Sequence, residues 1–576
     1  MRSRKWRVAL GGAAACVALL GAQEPPKPFD LLITNARIVD GTGGPSIAGS
    51  VAVRDGSIAG VGAVAGAATR TIDAGGKVIA PGFIDAHSHS DYSLLVDGNA
   101  ESKIRQGVTT EVIGESESVA PISPGASAAT RGTGLQPTWT DFPGYFAAIE
   151  RSRISVNLLS YVGLGQVRRV VMDSEPRAPT AAELRSMTTI VADVMKQGAY
   201  GVSTGLIYPP NAYATLDELI ALSKPAAAAG GLYASHLRYD GDKLREGIEE
   251  AIAIGEGARL PVHIFHLKVT GQKNFGRMKE AIALIEAAQK RGVEISADQY
   301  PYVASSTALT ATFPPWVQAG GQANMVERLK DRAMRAKIRK EIEDPNPTWE
   351  NRYQSAGTWH NVQLASISDR SIDSRRSSDS RRDGSVSPNK KFEGMRVDEA
   401  AKRAGKDPFD FVFDLVAESG GVSCVYFIID EGDLKLAMER PWVSIGSDGS
   451  ALAVSGPLRS GVPHPRSFGT FPRVLGTYVR VEHVISLEQA VRKMTGLTAA
   501  QLHVTDRGLI KTGLAADLVI FDPATVGDRA TFTDPFQYPV GIDTVIVNGR
   551  VVLDKGRHTG ERPGIIIRGH GASSTH

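Results

Sequence analysis

From about residue 81 to residue 500 the chain alternates short apolar runs with amphipathic stretches, and this alternation leaves few architectures open. Runs at 107–113, 156–162, 200–206, 231–235, 262–266, 294–297 and 442–445 read as strands. The run at 78–80, just ahead of His87, brings the number to eight. Helix starts lie between them. Thr180 with Glu183 and Thr215 with Glu218 have the spacing of a capping box. Leu184, Met187, Val191 and Val194 then fall on one helical face, a stripe that reads as core packing. Eight strands alternating with helices predict an α/β fold, a (β/α)8 TIM-like barrel over residues 81–500.

The two ends are written differently. Runs at 31–34, 36–39, 51–53 and 57–61 are broken by Asp40-Gly41, Gly43-Gly44 and Asp55-Gly56, which predicts a small antiparallel β unit. Runs at 517–521, 544–549 and 550–553 repeat that style. Together they predict one small β-sandwich domain built from both chain ends, residues 27–80 and 501–568. A long irregular insertion, at about 310–440, is expected between the seventh and eighth barrel strands. Within it, Asp369 to Lys391 includes Ser-Arg-Arg-Ser-Ser-Asp-Ser-Arg-Arg and reads as a solvated polar loop.

At the N-terminus Arg2, Arg4, Lys5 and Arg7 precede an apolar run from Val8 to Ala22, which Gln23-Glu24-Pro25-Pro26 ends. This is the build of a secretory signal peptide, residues 1–22, and predicts export to the periplasm or beyond. The run is short for a membrane span, so none is expected after cleavage. Cleavage would leave Cys424 alone, which excludes an intrachain disulfide. The formal net charge of +3 gives no reason to expect nucleic acid or an anionic membrane as partner, and a small-molecule substrate is expected instead.

In barrels of this kind functional groups collect at the C-terminal ends of the strands. The first strand leads into His87 and His89, and residues i and i+2 of an extended segment share a face, so both imidazoles can address one borderline cation such as zinc. The second strand ends in Glu115-Ser116-Glu117, the fifth in His236, the sixth in His266 and the eighth in Asp448. Each alone is more often an ordinary core or loop residue. Four histidines and two acids at the ends of five strands point to a metal centre. His263, earlier on the sixth strand, reads as structural.

These residues stand in longer blocks: PGFIDAHSHSD from Pro81, GVTTEVIGE from Gly107, GVSTGLIYPP from Gly201, YASHLR from Tyr233, HLKVTG from His266, DQYPYVASST from Asp298, IGSDGS from Ile445 and PHPRSFGTFPRVLG from Pro463. In these blocks and their order the chain resembles the amidohydrolase superfamily and, within it, the D-aminoacylase (N-acyl-D-amino-acid deacylase) family. The resemblance implies that His236 and His266 hold the tighter of one or two zinc ions. His87 and His89 would complete a weaker position, and Asp448 would be general base and proton carrier. The family usually has a cysteine ligand after the second strand, where this chain has Ser116. A serine hydroxyl replaces a thiolate poorly, so Glu115 is the candidate ligand and Glu117 the second choice. Losing the soft sulfur tilts the site toward Mn²⁺ or Co²⁺. Many relatives also carry a histidine where this chain has Leu164.

The implied substrate is the acyl amide of a D-amino acid, whose α-carboxylate needs a cationic clamp. Lys268 is placed for it, with Tyr208, Tyr300 and Ser306 as further contacts and Arg466 as a bidentate grip. Two alternatives stay open: a hydrolase of another C–N bond on the same fold, such as a D-residue dipeptide or cyclic amide, and a non-catalytic binding protein on this scaffold.

Overall fold

Phe83–Asp85, three buried residues, is the first strand of a parallel barrel in the computed structural model, which describes residues 27–122, 135, 137–368 and 387–572. It pairs with Val108–Ile113, which pairs with Asn157–Ser160. Tyr161 interrupts the third strand, which resumes at Val162–Gly163 beside Gly201–Gly205. Leu232–His236, Val262–Ile264, Ile295–Gln299 and Val443–Ile445 follow in parallel order. The ring closes through a parallel bridge between Ser88 and Gly449. Parallel strands are covered on both faces, which is why these segments read as unbroken apolar runs.

The helix Ala181–Lys196 shows how the outer layer forms. Thr180 accepts the Glu183 backbone N–H, and the Glu183 carboxylate returns to the Thr180 N–H, a complete capping box. Met187, Val191 and Val194 are buried against the barrel. Each such burial stabilises by about 1.5–3 kcal/mol, so a charge at Val191 would break this face. At Leu216–Ala228 only half of the expected box forms. Thr215 caps Glu218, but the Glu218 carboxylate turns to Arg168 at 2.5 Å.

The chain ends meet in one nine-stranded sheet. Two sequence expectations are corrected there. The run before His87 is not a barrel strand: Val78–Pro81 lies antiparallel to Leu518–Phe521 and parallel to the strand Phe29–Ile38. The first barrel strand begins two residues later, past Gly82, where a Cβ would lie 2.2 Å from the Thr109 hydroxyl. The N-terminal unit is also mixed rather than antiparallel, since Phe29–Ile38 pairs in parallel with Ala68–Asp73. Alternate residues of its strands (Ile33, Val51, Val53, Ile79, Leu518, Ile520) form its apolar core.

The described residues of the insertion after the seventh strand form regular elements rather than irregular chain. Ser305–Ala308 and Val362–Ile367 flank Val422–Tyr426 in an antiparallel sheet. Helices including Arg332–Ile342 and Pro408–Glu418 pack on it around Leu309, Phe313, Phe409 and Phe413. Periodicity is weak in such short strands scattered over 120 residues, so the sequence alone did not reveal them. The expected signal segment 1–22 and most of the polar loop, residues 369–386, lie outside the described residues. Among those described, no helix is long and apolar enough to cross a membrane.

Candidate metal centre

Strand ends carry the predicted histidines to one place. His87 Nε2 lies 2.8 Å from Glu115 Oε2, and His89 Nε2 lies 3.1 Å from the same oxygen. Asp448 Oδ1 completes this group at 2.9 Å from His89 Nε2 and 3.8 Å from His87 Nε2. A second group combines Glu115, His236 and His266, with Glu115 Oε1 at 3.6 Å from His236 Nδ1. The ligand atoms of each group lie within 4.8 Å of one another. Two donors on one tetrahedral zinc, each about 2.0–2.1 Å from it, would stand about 3.3 Å apart, so both groups suit a shared cation. Glu115 belongs to both.

Hydrogen bonding supports the same fit. Glu115 Oε1 and His87 Nδ1 are buried without any hydrogen-bond partner. A buried carboxylate oxygen left in that state is costly. A cation beside it removes the cost.

The charge states of His236, His266, Glu115 and Asp448 are those a metal needs. Burial, then the Lys268 ammonium, hold His236 and His266 below the ordinary imidazole range, so both are neutral. Burial opposes ionisation of Glu115, but the charge of His87, the nearby His236 ring and the hydrogen bond with His87 hold it well below the usual carboxylate range. Asp448 is likewise held ionised against burial by Arg466, whose Nη1 lies 2.8 Å from Oδ2, and by His87. His87 behaves oppositely. Burial lowers it, yet Asp448 and Glu115 outweigh that and raise it to about 9. The carboxylates of Asp448 and Glu115 beside His87 supply negative charge that a bound cation would neutralise.

The remaining predicted residues are placed as follows. Ser116 leaves the cluster, its backbone left-handed at φ 61° and its hydroxyl accepting from Asn211 at 2.8 Å. Glu117 is turned away onto Arg169. His263 is clamped by Ser296 and Asp298, both at 2.9 Å. Tyr208 reaches across to Thr307 of the insertion at 2.7 Å, with its ring 5.3 Å from that of His236. Tyr300 lies under the Arg466 guanidinium at 4.9 Å, its hydroxyl buried and unpartnered. Ser306 offers its carbonyl to Arg466 at 3.3 Å. Lys268 is not a free clamp: its ammonium is buried, 2.8 Å from His266 Nδ1 and 3.3 Å from Asp240. Leu164 is fully buried in the core.

Sequence reasoning missed Arg352. It comes from the insertion, is buried, and grips Asp240 with both terminal nitrogens at 2.6 and 2.8 Å. One of these also lies 3.2 Å from His236 Nε2. Asp298 was quoted within a block but given no role. Its carboxylate takes the His266 backbone N–H at 2.9 Å and thereby holds that residue at φ 37°.

The model of the amidohydrolase family matches residues 70–300 and 394–553. D-aminoacylase of Alcaligenes xylosoxydans xylosoxydans is 36% identical over 551 residues, covering 95% of this chain and 99% of that protein. N-acyl-D-aspartate deacylase of the same organism is 35% identical, covering 94% of this chain and 96% of its own length. A crystal structure of N-acyl-D-glutamate deacylase from Bordetella bronchiseptica, complexed with zinc and a phosphonate mimic of the tetrahedral intermediate, superposes with a TM-score of 0.77. It is 33% identical, over 94% of this chain and 100% of that one. A metal-ready barrel with this coverage has one reading: the chain belongs to the amidohydrolase family. Within it, its place is among the D-aminoacylases and N-acyl-D-amino-acid deacylases.

Proposed function

We infer that this protein is a metal-dependent hydrolase that cleaves the amide bond of N-acyl-D-amino acids, releasing a carboxylate and a free D-amino acid. The observation that carries this reading is Glu115 shared between two histidine groups, with Asp448 in one of them 2.9 Å from His89. His87, His89, Glu115, His236 and His266 would hold the cation, zinc by analogy with the Bordetella enzyme, with Mn²⁺ or Co²⁺ favoured by the absent thiolate. When bound, such an ion polarises a carbonyl and lowers the pKa of water from about 15.7 toward 7.

The protein side of the chemistry falls to Asp448. Arg466 and His87 keep its carboxylate ionised, which a general base requires. It takes a proton from the attacking water and delivers it to the leaving nitrogen. Arg466, which also pairs with Asp448, is the first clamp for the α-carboxylate, with Tyr300 and Ser306 beside it and Tyr208 bonded to Thr307 next to Ser306. Lys268 joins only by turning its ammonium from Asp240.

The test is hydrolysis of matched N-acetyl-D- and N-acetyl-L-amino acids by metal-replete protein, with D-residue dipeptides alongside. Turnover confined to the D series is the expected result, and turnover of the dipeptides alone would overturn the substrate assignment. We also propose export through the basic and apolar segment 1–22. A mature protein recovered outside the cytoplasm should begin at Gln23; recovery of the full-length chain in the cytoplasm would refute this.

A further inference from the structure

Asp448 stands at φ 49°, a left-handed conformation that a non-glycine residue keeps only where its surroundings dictate it. Both of its neighbours are held by one side chain. Lys103, on the short helix Glu101–Ile104, is completely buried, and its ammonium lies 2.9 Å from Ser447 Oγ and 2.8 Å from the Gly449 carbonyl. It therefore grips the residue before the carboxylate and the residue after it.

The same ammonium reaches the first strand. It pairs with Asp85 Oδ2 at 2.6 Å and donates to Ser88 Oγ at 3.2 Å, on either side of His87. Asp85 completes the knot by accepting the Ser447 N–H at 2.7 Å and the Ser447 hydroxyl at 2.6 Å. Four oxygens around three ammonium protons leave no donor idle.

This knot sits at the weakest join of the barrel. The first and eighth strands share no continuous ladder. Their junction is the Ser88–Gly449 bridge, with Asp448 N–H to His87 carbonyl at 2.8 Å and His89 N–H to Gly449 carbonyl at 3.1 Å. In a dry interior, charge-assisted bonds are stronger than neutral ones and can fix such a join.

We propose that Lys103 is a positioning residue for the reaction: it spans the seam between the first and eighth strands and, through Ser447 and Gly449, holds the backbone that aims the Asp448 carboxylate at His89. The inference rests on the reading of Asp448 as general base. Lys103 touches neither Asp448 nor the open pocket, so its influence should appear in kcat and not in KM.

The test compares wild-type, Lys103→Met and Ser447→Ala proteins, metal-replete and full length, on N-acetyl-D-amino acids, with bound metal and melting temperature measured for each. Misplacing a reacting group by an ångström can cost about 100-fold. Lys103→Met is expected to lose about that much in kcat with KM within about threefold and metal content intact. Ser447→Ala removes the hydroxyl that accepts from Lys103 and the Gly449 N–H and donates to Asp85, without stranding a charge, and should lose about tenfold in kcat; it decides the matter if Lys103→Met does not fold. Variants that keep wild-type kcat, or lose activity only through KM or metal, overturn the inference while wild-type turnover keeps the functional reading. A wild-type protein that turns over no N-acyl-D-amino acid overturns both.

Discussion

The two oxygens of Glu115 face different histidines, Oε2 toward His87 and His89 and Oε1 toward His236. Glu115→Gln removes the charge both groups share, and elemental analysis should find bound metal reduced to less than half. Ser116→Ala should leave it unchanged, since the Ser116 hydroxyl is engaged by Asn211. Asp448→Asn keeps the shape of the side chain but cannot accept a proton. It should retain metal and lose about 10²–10⁴-fold in kcat, measured on the D substrate. At this scale the convergence of the candidate ligands was largely legible. Strand ends set the direction of His87, His89, His236, His266 and Asp448, and a poor ligand at Ser116 directed attention to its neighbour. Arg352 was not legible: it lies in a different element from the histidine it approaches, and no local pattern marks an arginine that will be buried.

Among the elements, the insertion's attachment to the barrel depends on a small charged cluster. Arg352 holds Asp240, while Glu350, its side chain only 6% exposed, accepts the backbone N–H groups of Asp240 and Gly241 at 3.3 Å. Arg352→Met would remove the two-pronged partner of the buried Asp240 carboxylate and leave it only the Lys268 ammonium at 3.3 Å and the Thr270 hydroxyl at 2.8 Å. Denaturant unfolding should show a loss of about 3–5 kcal/mol. Glu350 supplies a pH dependence. Burial and the adjacent Asp240 raise it from 4.5 to about 7, so the folded state binds its proton more tightly than the unfolded state. Its stabilising contribution is present in full below the unfolded value and is lost as pH rises through 7. Glu350→Gln keeps an oxygen for both N–H groups, so its melting temperature should fall less between pH 5 and pH 8 than the wild type's. These interactions escaped the sequence reading for a physical reason. Strand and helix periods report which face is apolar, whereas docking between separately folded layers depends on charges far apart in the chain.

For the whole molecule, eight strands alternating with helices pointed to a barrel, one of the few arrangements that bury parallel strands on both faces. The pairing of the ends was legible in style but not in detail, since β runs separated by a whole barrel carry no signal of register. The last residues are part of that assembly. Leu158 in the third barrel strand exchanges backbone hydrogen bonds with Ile565 and Ile567, each at 2.9 Å, and a Cβ at Gly564 would strike the Val156 carbonyl. Removing residues 560–576 should lower the thermal midpoint by roughly 5–10 °C in a calorimetric scan, from the several backbone bonds lost. The nine-stranded sheet also sets a clock. Val78–Pro81 pairs with Leu518–Phe521, more than four hundred residues later. At about 5–20 residues per second, a ribosome takes roughly 20–90 s to supply that partner. Through that interval a finished hydrophobic strand has one open edge, and it is there that a crowded or overproducing cell would first pair the wrong chains.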